Sequence, residues 1–192
     1  MEHKGTIRIE TDRLVLKRHV LDDAEIMFKN WVTEKDVTKF LSWQPHKNVD
    51  ETKQLLIDWI ESYDKQDFYF WTIELKDSHE LVGDISVVSL DEATESVELG
   101  YGIGSRWWGK GITAEAGRAL VKFFFEEVEV ETIYADHIDA NPASGKVMEK
   151  AGMKYEGIMR KRVLNKVTKK KADLIYYSIT KEDYFKGDNH EN

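Results

Sequence analysis

Tyr101-Gly102-Ile103-Gly104-Ser105-Arg106-Trp107-Trp108-Gly109-Lys110-Gly111-Ile112-Thr113-Ala114-Glu115 is the stretch on which the fold turns. A strand bearing Val97 and Leu99 runs through glycines straight into an amphipathic helix. That order brings unpaired backbone N–H groups and the positive end of a helix dipole to one point, which makes an anion site, most simply a phosphate site. Gly104 to Lys110 meets the opening of the pattern G-x-x-x-x-G-K-[ST], but the closing position is Gly111, which has no hydroxyl for Mg²⁺. No later apolar strand ends in an Asp that would serve such a metal. The dinucleotide fingerprint fails too: the third glycine of G-x-G-x-x-G falls on Ser105 or Trp107, and no βαβ unit has begun.

Working outward, the 192 residues carry 41% hydrophobic and 11% aromatic side chains, enough for one packed core. Two prolines and no Ser/Gly/Pro-rich linker argue for a single domain over residues 1–192. No apolar run is long enough to cross a membrane and no basic-then-apolar leader opens the chain, so it reads as soluble and cytoplasmic. With no cysteine, a thiol nucleophile and cysteine-ligated metals are excluded. The formal net charge of -8 argues against direct nucleic-acid binding and suits a cationic partner such as an amine. One basic stretch stands apart, from Arg160 through Lys161, Arg162, Lys166, Lys169 and Lys170 to Lys171. It reads as a solvated hairpin loop, with contact to an acidic substrate, a cofactor phosphate or RNA as the alternative.

The remaining pattern alternates strands and helices. Arg13 to Arg18 reads as a strand, and Asp22 or Asp23 caps a helix with Ala24, Met27, Phe28 and Trp31 on one face. Asn48 and Glu51 resemble a capping box ahead of a stripe of Leu55, Leu56, Trp59, Ile60 and Tyr63. Three strands at 68–75, 81–90 and 96–103 suggest an antiparallel meander. A helix over 113–127 buries Ala116, Leu120, Phe123, Phe124 and Val128, and a strand at 132–140 leads to Asn141-Pro142-Ala143-Ser144. There a helix starts with an N-cap Asn and an early Pro, and Gly152 sits just past its end. Strands at 153–164 and 172–180 close the domain.

Two of these stretches carry a family resemblance. Arg106-x-x-Gly109-Lys110-Gly111-x-Thr113-x-Glu115 resembles the pyrophosphate motif [RQ]-x-x-G-x-[GA] of the GNAT superfamily of acetyl-CoA-dependent N-acetyltransferases, with the acidic residue of its RimJ/RimL-like branch. Asn141-Pro142-x-Ser144, Lys150 and Gly152-Met153 resemble its second motif, with Met153 where Phe is usual. Glu10-Thr11-x-Arg13-Leu14-x-Leu16, Glu98-Leu99-Gly100-Tyr101 and Tyr177-Ser178-Ile179 look like further signatures of the same branch. The resemblance implies an α+β GNAT fold: a mixed, mostly antiparallel sheet of seven strands with about four helices, splayed between the fourth and fifth strands. It implies acetyl-CoA as co-substrate and no metal; His3, His79 and His190 lie in polar surroundings without ligand spacing.

On this resemblance the pantetheine pairs with the strand 96–103, where an N–H among Tyr101, Gly102 and Ile103 polarises the thioester carbonyl. Arg106, Trp107, Trp108, Gly109, Lys110 and Gly111, continued by Ile112 and Thr113, surround the pyrophosphate. Asn141 and Ser144 complete the cofactor contacts, although Asn141 equally suits helix capping. Glu98 is the candidate general base, since partial burial in an apolar strand raises a carboxyl pKa; it could equally pair with a lysine or cap an N–H. Ser144 is the candidate acid for the departing thiolate, or ordinary capping chemistry. Glu115 reads as structural support for the loop. His137 reads as structural rather than as a base. Trp43, His46, Trp59, Phe68, Phe70 and Trp71 belong either to the acceptor pocket or to the core.

Three functions follow: acetylation of a protein or peptide α-amine, acetylation of a small amine such as a polyamine, aminoglycoside or amino-sugar nucleotide, or acyl-CoA binding without catalysis. The sequence is compatible with a homodimer and does not name the acceptor.

Overall fold

The computed structural model describes residues 1–41, 43–166 and 168–188, so His190 lies outside the described residues. Its centre is one sheet in the order β1-β2-β3-β4-β5-β6-β8-β7. The strands are β1 (Ile9–Glu10), β2 (Leu14–Lys17), β3 (Phe70–Leu75), β4 (Leu81–Asp91), β5 (Ser96–Ile103), β6 (Thr132–Ile138), β7 (Lys154–Leu164) and β8 (Lys171–Thr180). The eighth strand relative to the sequence expectation is β1, a two-residue edge too short to carry an alternating pattern. The meander is present: β3, β4 and β5 pair antiparallel in succession.

β5 and β6 are parallel, and a parallel pair requires a crossover. Here that crossover is α4 (Ile112–Phe123), running on through a π turn at Phe124–Val128. The apolar face of α4 is buried as its periodicity requires, with Ala116, Leu120, Phe124 and Val128 fully inaccessible. They lie against Leu14, Leu16, Trp71, Ile73, Val97 and Ile133 of the sheet in the main core. α5 (Pro142–Lys150) covers the same face and ends as expected, with Gly152 at φ +97 and Met153 N–H reaching the Met148 carbonyl at 3.0 Å.

The opposite face carries the helices of the first third of the chain. α1 (Ala24–Met27) is entered through a 3-10 turn at Leu21–Asp23, where the Asp23 carboxylate accepts the Val20 N–H at 2.9 Å, and runs on as a π turn at Phe28–Val32. α2 (Lys35–Thr38) and α3 (Val49–Ser62) follow on that face, whereas the last helix, α6 (Lys181–Asp188), packs Tyr184 against the main core beside Phe125. The helix count therefore rises from about four to six, because short turns carry too few residues to show a period. Asn48 does accept the Glu51 N–H at 3.0 Å, but the Glu51 carboxylate returns to the Lys47 N–H at 2.8 Å, one residue earlier than in a capping box. Of the α3 stripe, Leu56 and Tyr63 are buried while Ile60 stays exposed.

Candidate active site

The parallel pairing of β5 with β6 lasts for three residue pairs and stops at Glu98 opposite Tyr134. Beyond them the strands part, so the sheet is splayed between the strands that the sequence numbers fourth and fifth. The direction of the open hydrogen bonds follows from β5 itself. Gly104 N–H donates to Val82 of β4 at 2.9 Å. Alternation then turns Gly102 toward β4, and Tyr101 and Ile103 toward the gap. The Ile103 carbonyl does face that way, since it accepts the Trp108 indole N–H at 3.0 Å.

At the end of β5 the chain makes a 3-10 turn at Ser105–Trp107, then two glycines at φ +74, Gly109 and Gly111, before α4. Among the described residues, the N–H groups from Gly109 through Ala114 meet no protein acceptor. The first helical bond closes at Glu115, to the Gly111 carbonyl at 3.0 Å. A Cβ built on Gly109 meets nothing within 4 Å, so the space over these donors is open. A row of free N–H groups at a helix N-terminus under open space fits a pyrophosphate.

Glu115 clamps this loop to the start of the chain. Its carboxylate accepts the Thr11 hydroxyl at 2.5 Å, the Arg13 N–H at 3.0 Å and the Arg13 guanidinium at 2.6 Å, while Arg13 also donates to the Lys110 carbonyl at 3.0 Å. Burial opposes its charge, yet Thr11 and Arg13 hold the carboxyl below its ordinary value. The opening motif around Thr11 and Arg13 is thereby explained as support for the phosphate loop. Other side chains of the loop point elsewhere. Arg106 pairs with Glu80 at 2.9 Å and lies over the Trp107 ring, and Trp107 is buried in the main core, so both contribute backbone to the loop. Ser105 is held through its N–H and hydroxyl by Glu34, on the linker before α2.

Across the gap, Tyr101 and Ser144 meet. The two hydroxyls are 2.7 Å apart, and the tyrosine also reaches the Ser144 carbonyl at 3.1 Å. Burial raises the Tyr101 pKa, so the phenol stays protonated. Asn141 is the N-cap residue of α5, yet its side chain makes no capping bond and lines the cavity instead. His137 is buried against α5, with its Nδ1 2.8 Å from the Ile138 carbonyl and its Nε2 where a Gly145 Cβ would come within 2.8 Å.

The family model described as Acetyltransferase (GNAT) domain matches residues 13–154. The chain belongs to the GNAT acetyltransferase family. It is 27% identical over 177 residues to the uncharacterized N-acetyltransferase p20 of Bacillus licheniformis, covering 91% of this chain and 96% of that one. It is 24% identical over 188 residues to the [ribosomal protein uS5]-alanine N-acetyltransferase of Escherichia coli, with 94% of each chain covered. Microcin C7 self immunity acetyltransferase MccE, solved in complex with acetyl-CoA and AMP, shares the fold at a TM-score of 0.77 and 19% identity over 88% of this chain and 93% of that one. The RimJ/RimL-like resemblance thus stands, and the protein is an acetyl-CoA-dependent N-acetyltransferase.

In this acetyltransferase the gap opens into a cavity of about 1210 Å³ that continues from the phosphate loop to the helices on the opposite face. Trp43, His46, Trp59 and Phe70 line the cavity, whereas Trp71 lies in the core. Trp59 and Phe70 stack at 3.8 Å between ring centroids. His46 is 2.8 Å from the Thr52 hydroxyl, and burial lowers its pKa. Glu98 lines the cavity from β5. Burial raises its carboxyl pKa, the nearby Asp136 charge adds to this, and a hydrogen bond with Tyr134 partly offsets both. Burial likewise raises Asp136, and the Tyr176 phenol beside it is pushed up to about 12. Asp84, on β4, also lines the cavity, and burial pushes its carboxyl up to about 6.

Asp136 and Asp84 escaped the sequence reading, although a lone carboxylate within Leu81-Val82-Gly83-Asp84-Ile85 carries the same signal as Glu98 does in β5. Glu34 had no signal, because its link to Ser105 is purely tertiary.

Proposed function

We propose that this protein acetylates a primary amine by direct attack within a ternary complex, and that the amine is a protein or peptide N-terminal α-amine. The observation that carries the chemistry is the cavity that joins the open N–H groups of the phosphate loop to the half-buried Glu98 carboxylate across the splayed strands. The similarity to an enzyme named for a ribosomal-protein alanine supports the choice of acceptor.

Acetyl-CoA brings the activated acetyl group. The N–H groups of Gly109 through Ala114 and the α4 dipole would hold its pyrophosphate, while the Asn141 amide and the open edge of β5 would orient the pantetheine. A β5 N–H turned into the gap stabilises negative charge developing on the thioester oxygen. Glu98 takes the proton that the amine loses as its nitrogen bonds to carbon, directly or through water. Ser144, joined to the Tyr101 phenol, gives a proton to the departing sulfur, and solvent restores both groups. A second reading, a compact basic amine, is favoured by the aromatic enclosure formed by Trp43, Trp59 and Phe70.

Thiol release from acetyl-CoA against free-N-terminal peptides, their N-acetylated forms and a set of polyamines and amino sugars tests the proposal. Turnover confined to free-N-terminal peptides is expected. Turnover with small amines alone would replace the acceptor, and tight acetyl-CoA binding without turnover on any amine would sink the proposal.

A further inference from the structure

Asp84 has no role in the chemistry above, yet it is the most deeply placed carboxylate on the cavity wall. It stands on β4 directly opposite Gly102 of β5, while Ser86 stands opposite Gly100. Residues Glu98, Gly100 and Gly102 share one face of β5, the face turned away from the α4 core, because side chains alternate along a strand. Glu98 and Asp84 therefore bracket two glycines, of which Gly100 lies under the Val88 side chain. A Cβ on Gly102 would stand 3.5 Å from the Asp84 Oδ1 and 3.6 Å from Leu41, so that oxygen overhangs the glycine surface.

The other oxygen of Asp84 is engaged. Oδ2 accepts the indole N–H of the fully buried Trp31 at 2.8 Å. Among the described residues no Lys or Arg forms an ion pair with Asp84. His19 lies near; it is buried against the Trp59–Phe70 stack, its Nδ1 stands 3.4 Å from Asp23, and its ring nitrogens make no hydrogen bond among the described residues. If Trp31 needed only an acceptor, a neutral amide or hydroxyl would serve without the cost of a buried charge. A carboxylate kept in the wall of a substrate cavity, hydrogen-bonded by neutral groups, the Trp31 indole and the Gly102 backbone, and without a Lys or Arg ion-pair partner among the described residues, is complementary to a cation brought by the substrate.

We propose that Asp84 receives the charged end of the acceptor, accepting a hydrogen bond from the incoming primary ammonium and holding its nitrogen beside Gly102; the ammonium releases one proton to solvent, and the neutral amine then attacks the thioester carbonyl while Glu98 takes the second proton. This deepens the acceptor assignment above and rests on it. It assigns acceptor specificity to basic amines that arrive protonated, with Asp84 contacting the substrate and Trp31 positioning Asp84.

The test uses the acceptor found by the peptide and amine panel, together with a pair of probes of equal shape that give no stable N-acetyl product: protonated N,N-dimethylethanolamine, which keeps one N–H to donate, and its uncharged carbon analogue 3-methylbutan-1-ol. In the wild type, the amine inhibits competitively against the acceptor and at least about tenfold more strongly than the analogue, as a charge-assisted hydrogen bond requires. In Asp84→Asn, which keeps an acceptor for Trp31, that preference is lost and the acceptor KM rises at least about tenfold. Its kcat and the acetyl-CoA KM stay near wild type. Retained preference for the amine, an unchanged acceptor KM, or a parallel loss of acetyl-CoA binding overturns the assignment. Should Asp84→Asn fail to fold, Asp84→Ser is measured in the same way, and equal inhibition of the wild type by the two probes overturns it without any variant. Absence of wild-type turnover on every amine would instead sink the acceptor reading on which it rests.

Discussion

Glu98 shows how one residue acquires its chemistry from two levels. Its strand makes it half-buried, and the fold then brings Asp136 of β6 near it, so burial and like charge both raise its pKa. A carboxylate with a raised pKa takes up a proton more readily than an ordinary surface glutamate. Glu98→Gln should lower kcat by roughly 10²- to 10⁴-fold, the usual range for a positioned base, with acetyl-CoA affinity unchanged. The sign of the pH dependence is fixed by the direction of the shift. On the proposed mechanism activity requires the ionised form, so kcat is expected to fall as pH drops through the raised Glu98 pKa. Asp136→Asn removes the neighbouring negative charge and should move that acidic limb to lower pH; a limb that stays in place in a kcat–pH profile would argue against Glu98 as the base. Glu98 was legible in the sequence as a carboxylate in an apolar strand, whereas the Asp136 that tunes it belongs to a strand with no local reason to lie alongside.

Among the elements, the phosphate loop is the most local. Its two left-handed glycines, the 3-10 turn and the start of α4 are adjacent in sequence, so spacing alone exposed it. Glycines of the same stretch are nevertheless required for different reasons. Gly109 has open space above it and needs glycine for its φ of +74, while a Cβ on Gly104 would stand 2.3 Å from the Asn30 carbonyl and against the Trp107 ring. Gly109→Val should cost about 1–2 kcal/mol of stability from left-handed strain and, by filling the space offered to the pyrophosphate, weaken acetyl-CoA binding at least tenfold in a titration. Unchanged affinity would remove the loop from the cofactor site. Part of the basic stretch is explained by its element, while Lys166 further along lines the cavity. β7 is a sheet edge, and between Met159 and Val163 it bulges, with Lys161 at φ +54 donating its N–H to Asp173 at 2.7 Å. Exposed Arg160, Lys161 and Arg162 on a bulged edge are a device against edge-to-edge pairing, which accords with the solvated reading.

For the whole molecule, one cavity spans both faces of the sheet, and the loop, α4, α5 and the splayed strands all border it. Acetyl-CoA binding should therefore stabilise the entire domain. At a hundredfold excess over Kd the gain is about 2.7 kcal/mol, which for a domain of this size raises Tm by roughly 5 to 11 °C in a thermal melt. A melt unmoved by saturating acetyl-CoA would contradict that coupling. The sequence by itself determined what depends on neighbours along the chain: the phosphate loop, the capped helices, the meander, Glu98 and Ser144 as chemical candidates, and the family they resemble. Only the tertiary structure decided that Glu115 serves Arg13 and Thr11, that Ser144 meets the Tyr101 phenol, which aromatics face the cavity and which the core, and that Asp84 and Asp136 join Glu98 at one cavity. Those facts rest on contacts between residues tens of positions apart, where packing and burial, rather than spacing along the chain, set each side chain's partner and charge.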